Sequence, residues 1–197
     1  MFAPGDSPFK VKGSPYATIT EHARGIEGGH ARFLEHLPDD AHREFARTLF
    51  LPVSQYDALP LVTLTRALSE AEGSDHFTSV RERSRRAAER DLSGVYRLLL
   101  KAVSPQNAVE RLQKMSLKYF SFGEAAILQR ERGLVVAELR QIPASLGAWF
   151  EPMLSGYGPV LIERSGGRDA SVAASTIPDG KAHGVPLGRV RIEFRWT

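Results

Sequence analysis

The spacing of apolar residues along the chain changes near residue 121. Before that point apolar side chains recur every three or four positions, as at Leu61, Leu64 and Leu68, which is typical of amphipathic helices. After it, apolar and polar residues alternate, most regularly over 188–196, which is typical of strands. Helices followed by strands predict an α+β fold. We expect an N-terminal helical layer followed by a four- or five-stranded antiparallel sheet with an inserted helix.

Prolines, glycines and capping residues divide the helical part, about residues 13–121, into six predicted helices. These are expected over residues 14–26, 30–37, 39–49, 56–72, 76–102 and 105–121, and the fifth should be the longest. Residues 9–12 alternate and predict a short strand. Two prolines and a glycine predict that residues 1–8 are a flexible terminus, which leaves residues 9–197 as a single domain.

The sheet part, about residues 122–197, is predicted from alternation and from turn residues. Residues 123–130 and 134–142 should form one strand pair, residues 158–163 and 169–176 a second pair, and 188–196 the last strand. Residues 177–187 are rich in glycine and proline and predict a loop. A helix is expected to open at Pro143. An interior proline costs about 3 kcal/mol, so Pro152 predicts a kink or a break in that helix.

Composition restricts the classes of function. The 197 residues are 42% hydrophobic and 25% charged, which favours a folded domain over a disordered chain. Cysteine is absent, and this excludes disulfides, thiol catalysis and cysteine-bound metal. The net charge of +3 is only mildly basic. We see neither a signal peptide nor a run of ~20 apolar residues, and therefore expect a soluble cytoplasmic protein.

Several blocks of the sequence carry a family resemblance as a set. They are Lys12-Gly-Ser14, the arginine-rich stretch 85–97, Ser104-Pro105, Lys118-Tyr-Phe-Ser-Phe-Gly123 and the last strand with its tryptophan. Together they resemble a paralogous family of myxobacterial proteins of unknown function. The family is similar, more distantly, to a superfamily of haem-based nitric-oxide sensors, four-vinyl reductase ligand-binding domains and transport-particle subunits. That resemblance implies helices followed by a small antiparallel sheet with an inserted helix.

The chemistry of these relatives does not carry over to this sequence. If the resemblance to the haem sensors extended to haem binding, it would imply a proximal histidine on the helix before the sheet. It would also imply a Tyr-x-Ser-x-Arg motif after the first long strand. Here no histidine lies between His76 and His183, and Pro143-Ala-Ser-Leu-Gly147 follows that strand. The cysteines that the vinyl-reductase type often uses for metal are absent. We therefore expect a haem-free protein with no other cofactor.

An aromatic stripe on the helix after Pro143 is the main candidate site. Its residues fall on one helical face and predict one wall of an apolar ligand pocket. Plain helix-on-sheet core is the alternative interpretation. The stripe is Trp149, Phe150, Met153 and Tyr157, and the predicted opposite wall is Tyr119, Phe120 and Phe122.

A run of arginines on the fifth predicted helix is a second candidate site, for phosphate or an acidic partner. Glutamates four residues away, in the pairs Glu82–Arg86 and Arg85–Glu89, predict that part of this charge is paired, so a solvated helix face is the alternative. Asp91 lies beside the apolar stripe of the same helix, either as a functional acid or as the partner of an arginine. The arginines are Arg81, Arg83, Arg85, Arg86 and Arg90.

No metal or catalytic motif is recognisable. His22, His30, His36 and His42 lie in one helical region, but no pair has the i, i+4 spacing with an intervening glutamate that is typical of zinc hydrolases. The leading hypothesis is a non-enzymatic sensor or adaptor that binds a protein partner or a small apolar molecule. One alternative is an assembly or scaffold subunit that forms homodimers through its helical layer. Nucleic-acid binding through residues 81–90 is the second alternative and the less favoured one.

Overall fold

The change of apolar spacing at residue 121 marks the boundary between two structural layers. The structure is a computed structural model, and it describes residues 2–93 and 102–197. Its α-helices are α1 (Ser14–Gly25), α2 (Gly29–Glu35), α3 (Asp40–Ala46), α4 (Pro60–Ala71), α5 (His76–Asp91), α6 (Pro105–Tyr119) and α7 (Gly147–Arg164). Its strands are β1 (Lys10–Lys12), β2 (Gln55–Asp57), β3 (Glu124–Glu131), β4 (Leu134–Pro143), β5 (Ser171–Ala182) and β6 (Val185–Arg195).

The main sheet has four antiparallel strands in the order β3-β4-β6-β5. Side chains alternate between the two faces of a strand, and Val135, Ala137 and Leu139 of β4 enter the core. The inserted helix, α7, packs on the same side as these residues: Phe150 and Ile162 belong to the same core. The predicted fold class is confirmed: a helical layer precedes a four-stranded antiparallel sheet with an inserted helix.

The prediction of a strand at residues 158–163 is wrong, because these residues continue α7 to Arg164. A short apolar run has the same appearance in a buried strand and in a helix buried on both sides. Here a Cβ on Gly158 would lie 2.7 Å from Val172 in the sheet, while Val160 packs in a cluster with Ala88 of α5. This packing on two sides offsets the cost of Pro152 and Pro159, so the predicted break is absent.

Two further boundaries differ from the prediction. The helix predicted from residue 56 begins at Pro60, because residues 55–57 pair with β1 as a short strand. The predicted loop 177–187 is instead strand on both sides of a two-residue turn, His183-Gly184, where both φ angles are positive (50° and 76°).

Two further predictions concern the fifth helix and the N-terminal residues. Helix α5 ends at Asp91 rather than at residue 102, and residues 94–101 lie outside the described chain. The backbone N–H groups of Gly5 and Ser7 donate to the Asp57 carboxylate at 3.0 and 3.1 Å, and the flexibility of residues 1–8 stays a prediction. In the described part of the chain, no helix has the length and apolar character needed to cross a membrane.

Candidate ligand-binding cavity

A cavity of about 280 Å³ lies between four helices, α1, α5, α6 and α7, with Leu139 of β4 in its wall. This volume is near the lower end of the ~300–1,000 Å³ that is usual for small-molecule sites. Most of its lining is apolar and aromatic, and a few polar side chains project into it. It is the kind of concave site in which a small organic molecule is bound.

Helix α7 supplies the aromatic wall. Trp149, Phe150, Met153 and Tyr157 all line the cavity, as their helical spacing predicts for residues on one face. The position of this wall is set by Gly156, where a Cβ would lie 2.1 Å from the Arg81 carbonyl oxygen of α5. The two helices therefore touch backbone to backbone at that point.

The small side chains on one face of α5 leave the space that forms the cavity. Ser84 and Ala87 face the aromatic wall with small side chains, and Val80 and Asp91 lie on the same face of the helix. The close approach at Gly156 fixes the distance between the two helices at that point, and the small residues beside it leave a volume that no side chain fills.

The opposite wall comes from the end of α6. Tyr119 lines the cavity, and so does Phe120, whose ring centroid lies 5.3 Å from that of Phe150 and 6.4 Å from that of Trp149. Phe122 is the exception among the predicted wall residues, because its ring packs against Phe9 at 5.5 Å and does not line the cavity. The structure thus brings together six of the seven candidates, and their binding of a ligand stays a prediction.

A third wall was not predicted. Helix α1 contributes Thr18, Ile19 and His22, and the cavity also reaches Thr65 of α4. Helical periodicity marks the apolar face of α1, but it does not tell which neighbouring helix that face meets. The small residues of α5 are a signal for the close approach of α7, and no comparable signal marks α1.

Two charged side chains on the cavity have different surroundings. Only 10% of the Arg83 side chain is exposed, and it donates to Glu72 Oε2 at 2.6 Å and to Ser69 Oγ at 3.1 Å. Burial lowers the pKa of Arg83, and Glu72 partly offsets that effect, so an ion pair forms behind the cavity wall. Asp91 is about half exposed, and its cation partner is the similarly exposed Arg90, 3.7 Å away.

Hydroxyl and imidazole groups complete the polar lining. Burial, and to a smaller degree the negative charge of Asp91, raise the pKa of Tyr157 to about 12, so its phenol stays protonated at neutral pH. His22 Nδ1 lies 2.9 Å from the Thr18 carbonyl oxygen. Because a carbonyl only accepts, that nitrogen carries the proton, and Nε2 is the acceptor of a neutral His22.

The basic face of α5 is largely neutralised. The predicted pairs are confirmed, with Arg86 Nη2 3.4 Å from Glu82 and Arg85 Nε 3.2 Å from Glu89. Arg83 is not on the solvent face at all, because Glu72 holds it in the interior. Arg81 is exposed, and its main contact with α7 is through its backbone oxygen.

The described residues contain no group of three or more histidine, aspartate or glutamate side chains placed to hold a metal ion. The four N-terminal histidines make other contacts, such as His42 Nδ1 with the Asp39 carboxylate at 2.8 Å. Among the described residues that line the cavity, no constellation of nucleophile, base and oxyanion donors is recognisable.

Comparison with solved structures identifies similar folds. An Fe(II) unliganded H-NOX protein from K. algicida superposes with a TM-score of 0.60 at 10% identity, covering 94% of this chain and 96% of that one. An oxygen-binding H-NOX domain related to soluble guanylate cyclases gives 0.58 at 12%, covering 94% and 95%. A single-site mutant of T. tengcongensis H-NOX gives 0.53 at 14%, covering 94% and 97%. At these identities the likeness shows the fold alone.

No protein-family model matches this sequence, and no curated protein sequence does. The solved H-NOX structures support the superfamily resemblance at the level of fold. The resemblance to the myxobacterial family stays a prediction.

The cavity differs from the site that the resemblance implies for haem. The fifteen residues of α6, the helix before the sheet, include no histidine. The histidine on the cavity is His22, which comes from α1, and His76 is engaged with Thr65 Oγ1 at 3.0 Å. A volume of about 280 Å³ is also small for a tetrapyrrole, since drug-sized ligands already occupy ~300 Å³ or more. The described residues therefore do not reproduce the ligand set required for haem.

Proposed function

We propose that this protein is a non-enzymatic sensor or adaptor module that binds a small, mainly apolar molecule, without haem, in the cavity between α7 and the helical layer. The observation that carries the proposal is the convergence of two aromatic walls, Trp149 with Tyr157 and Tyr119 with Phe120, on one unfilled volume. A core helix without a binding role would be expected to fill such space, since protein interiors are close-packed.

The fold supports this role in a general way. The solved structures compared above are H-NOX proteins, one of them described as oxygen-binding, so an architecture of this kind can hold a small ligand. A ligand that fills the cavity would touch α5, α6 and α7 together. Binding would then change how these helices pack, and a partner protein would read that change.

Native mass spectrometry of the protein as purified, beside a denatured control, tests the proposal. We expect an additional mass that disappears on denaturation and is absent from an Ala87→Leu variant, because the larger side chain fills the cavity. Titration with haemin should produce no stoichiometric absorbance change. A haem spectrum that depends on His22 would contradict the haem-free part of the proposal, and a ligand retained by Ala87→Leu would contradict the assignment to the cavity.

A second candidate function is a homo-oligomeric assembly subunit. One observation favours it: the loop before β2 exposes Leu49 (79%), Leu51 (50%) and Val53 (80%). The loop is held in place by Tyr56, whose hydroxyl accepts from Leu51 N at 2.9 Å and donates to Leu49 O at 3.2 Å. Exposed apolar side chains so close together are typical of an interface.

Sedimentation velocity over a range of concentrations tests this candidate. If two copies meet at this loop, the Leu49→Ser/Val53→Ser variant should be a monomer at concentrations where the unmodified protein is a dimer. An unmodified protein that is monomeric throughout would exclude the candidate.

The ion pairs of α5 argue against the hypothesis of nucleic-acid binding through residues 81–90, because they neutralise part of its positive charge. That hypothesis predicts an affinity for nucleic acid that falls steeply as the salt concentration rises.

A further inference from the structure

The charges and rings around the cavity indicate the class of its ligand. This inference rests on the proposed function, since it concerns the molecule that the cavity would hold. Among the described residues that line the cavity, Asp91 supplies the only carboxylate and Arg83 the only guanidinium. Their surroundings differ, so the two charges are not equally available to a ligand.

Arg83 is already satisfied. Its guanidinium makes an ion pair with Glu72 and a hydrogen bond to Ser69, and neither of these partners lines the cavity. The guanidinium of Arg83 is therefore engaged by Ser69 of α4 and by Glu72 directly after that helix. A ligand anion placed there would also meet the negative charge of Glu72.

Asp91 is available. It lies at the C-terminal end of α5, and its partner Arg90 is solvent-exposed and 3.7 Å away, so the pair is worth little and opens easily. The rings of Tyr157 and Tyr119 line the same cavity, with Trp149 two turns earlier on α7. A carboxylate in a cavity lined by aromatic rings is an arrangement that suits organic ammonium groups, because the ring faces also attract a cation.

Tyr119 already interacts with a cation. The Lys12 ammonium lies 5.5 Å from the centroid of its ring. This contact shows that the position of Tyr119 is compatible with a cation on its face, and it also shows that Lys12 occupies that ring. The side of the cavity left for a ligand cation is therefore the one between Asp91 and Tyr157.

We propose that the ligand is an organic cation with an apolar body, an amine or a quaternary ammonium compound. Its charged group lies between the Asp91 carboxylate and the ring of Tyr157. Its body extends toward Trp149, Phe150 and Phe120, whose rings form a connected cluster with centroid separations of 5.1 to 6.4 Å. The volume of about 280 Å³ limits that body to the size of one or two small rings or a short chain.

Three probes with the same phenyl body and different charge test this inference: 2-phenylethylamine, 2-phenylethanol and phenylacetate. Each is titrated into the 197-residue protein at neutral pH and low salt, and Kd is measured from NMR chemical shifts. We expect the amine to bind about tenfold more tightly than the alcohol, and the acetate more weakly than either.

Substitutions assign the charge preference to one residue. In Asp91→Asn the amine should lose most of its advantage, to within about twofold of the alcohol, while the Kd of the alcohol stays unchanged. Glu89→Gln is the matched control, because Glu89 is a carboxylate on the same helix that does not line the cavity. It should leave the preference for the amine unchanged. Thermal unfolding of both variants shows whether the fold is retained.

The outcomes separate this inference from the proposed function. Probe binding that Ala87→Leu abolishes, but in which the alcohol or the acetate is tightest, overturns the cation inference and leaves the cavity function standing. An amine preference that survives Asp91→Asn also overturns the inference. If none of the three probes binds, or if Ala87→Leu leaves their binding intact, the cavity function fails as well.

Discussion

Two aromatic clusters in this protein have similar composition and different packing. In the helical layer Tyr16 stacks on Phe50, with ring centroids 4.7 Å apart, and Phe45 closes the group at 5.3 Å from Tyr16. Around α7, Phe120, Trp149 and Phe150 have similar separations, yet they border an unfilled cavity. Ring content therefore does not decide whether an aromatic cluster forms closed core or the wall of a cavity.

The polar groups account for the difference. In the helical layer the Tyr16 hydroxyl donates to the Asp57 backbone oxygen at 2.6 Å, and burial raises the pKa of Tyr16 well above its ordinary value. The Asp57 carboxylate in turn accepts from Ser7 and from Leu59 N, so the polar groups of that cluster are turned inward and satisfied. Around α7 the polar groups Asp91 and Tyr119 lie toward solvent instead, and a ligand can reach them.

The largest effect that we expect is on the closed cluster. Asp57→Ala removes an acceptor from three backbone N–H groups and from the Ser7 hydroxyl, all of them inside or at the edge of the core. Because each buried unsatisfied donor costs about 1–3 kcal/mol, the free energy of unfolding should fall by about 3 kcal/mol or more. Urea denaturation measures this change. A loss under about 1 kcal/mol would show that water or a rearranged terminus replaces the carboxylate.

A substitution at the contact between α5 and α7 should be nearly as destabilising. Gly156→Ala places a Cβ 2.1 Å from the Arg81 carbonyl oxygen, so α5 and α7 must move apart, at a cost of about 1–3 kcal/mol. In a helix, alanine otherwise stabilises relative to glycine by up to about 1 kcal/mol. The matched control is Gly25→Ala, at a helical glycine with no atom within 4 Å, and it should be neutral or stabilising. Equal effects at both sites would show that the helices do not touch.

Inserting a larger side chain should lower the stability of the protein at the closed cluster and leave it unchanged or raise it at the cavity. Ala58→Leu inserts a side chain into a core position that is fully buried, and overpacking should cost about 1–3 kcal/mol. Ala87→Leu inserts the same side chain into the cavity, so the free energy of unfolding should stay unchanged or rise by about 1 kcal/mol. Thermal unfolding of the two variants compares them directly. Similar destabilisation would mean that the cavity is not available space.

The sequence was sufficient for the fold class and for most of the aromatic cavity wall. Periodicity alone placed Trp149, Met153 and Tyr157 on one face, because helical spacing is a local property. It failed at residues 158–163, where packing on both sides of α7 removes the amphipathic signal, and at Phe122, whose ring packs on Phe9 from a distant part of the chain. The α1 wall depends on which helices meet, and a single sequence does not encode that in any local pattern.

The smallest effect that we expect is a pH dependence of stability caused by His76. His76 donates to or accepts from Thr65, a cavity residue, and burial together with the nearby Arg66 and Arg83 lowers its pKa to about 4, against an ordinary value of 6.5. Between these two pH values the unfolded chain binds a proton that the folded protein does not, so stability falls as the pH falls from about 6.5 toward 4.

For a half-buried side chain that solvent screens, we expect a loss of roughly 1 kcal/mol over that pH window. His76→Gln keeps a polar side chain that does not titrate, so its stability should depend less on pH by that amount. Urea denaturation of both proteins at several pH values measures the difference. Parallel pH profiles would show that the imidazole stays accessible to protons in the folded state, and that the helical layer is more open behind the cavity than its packing indicates.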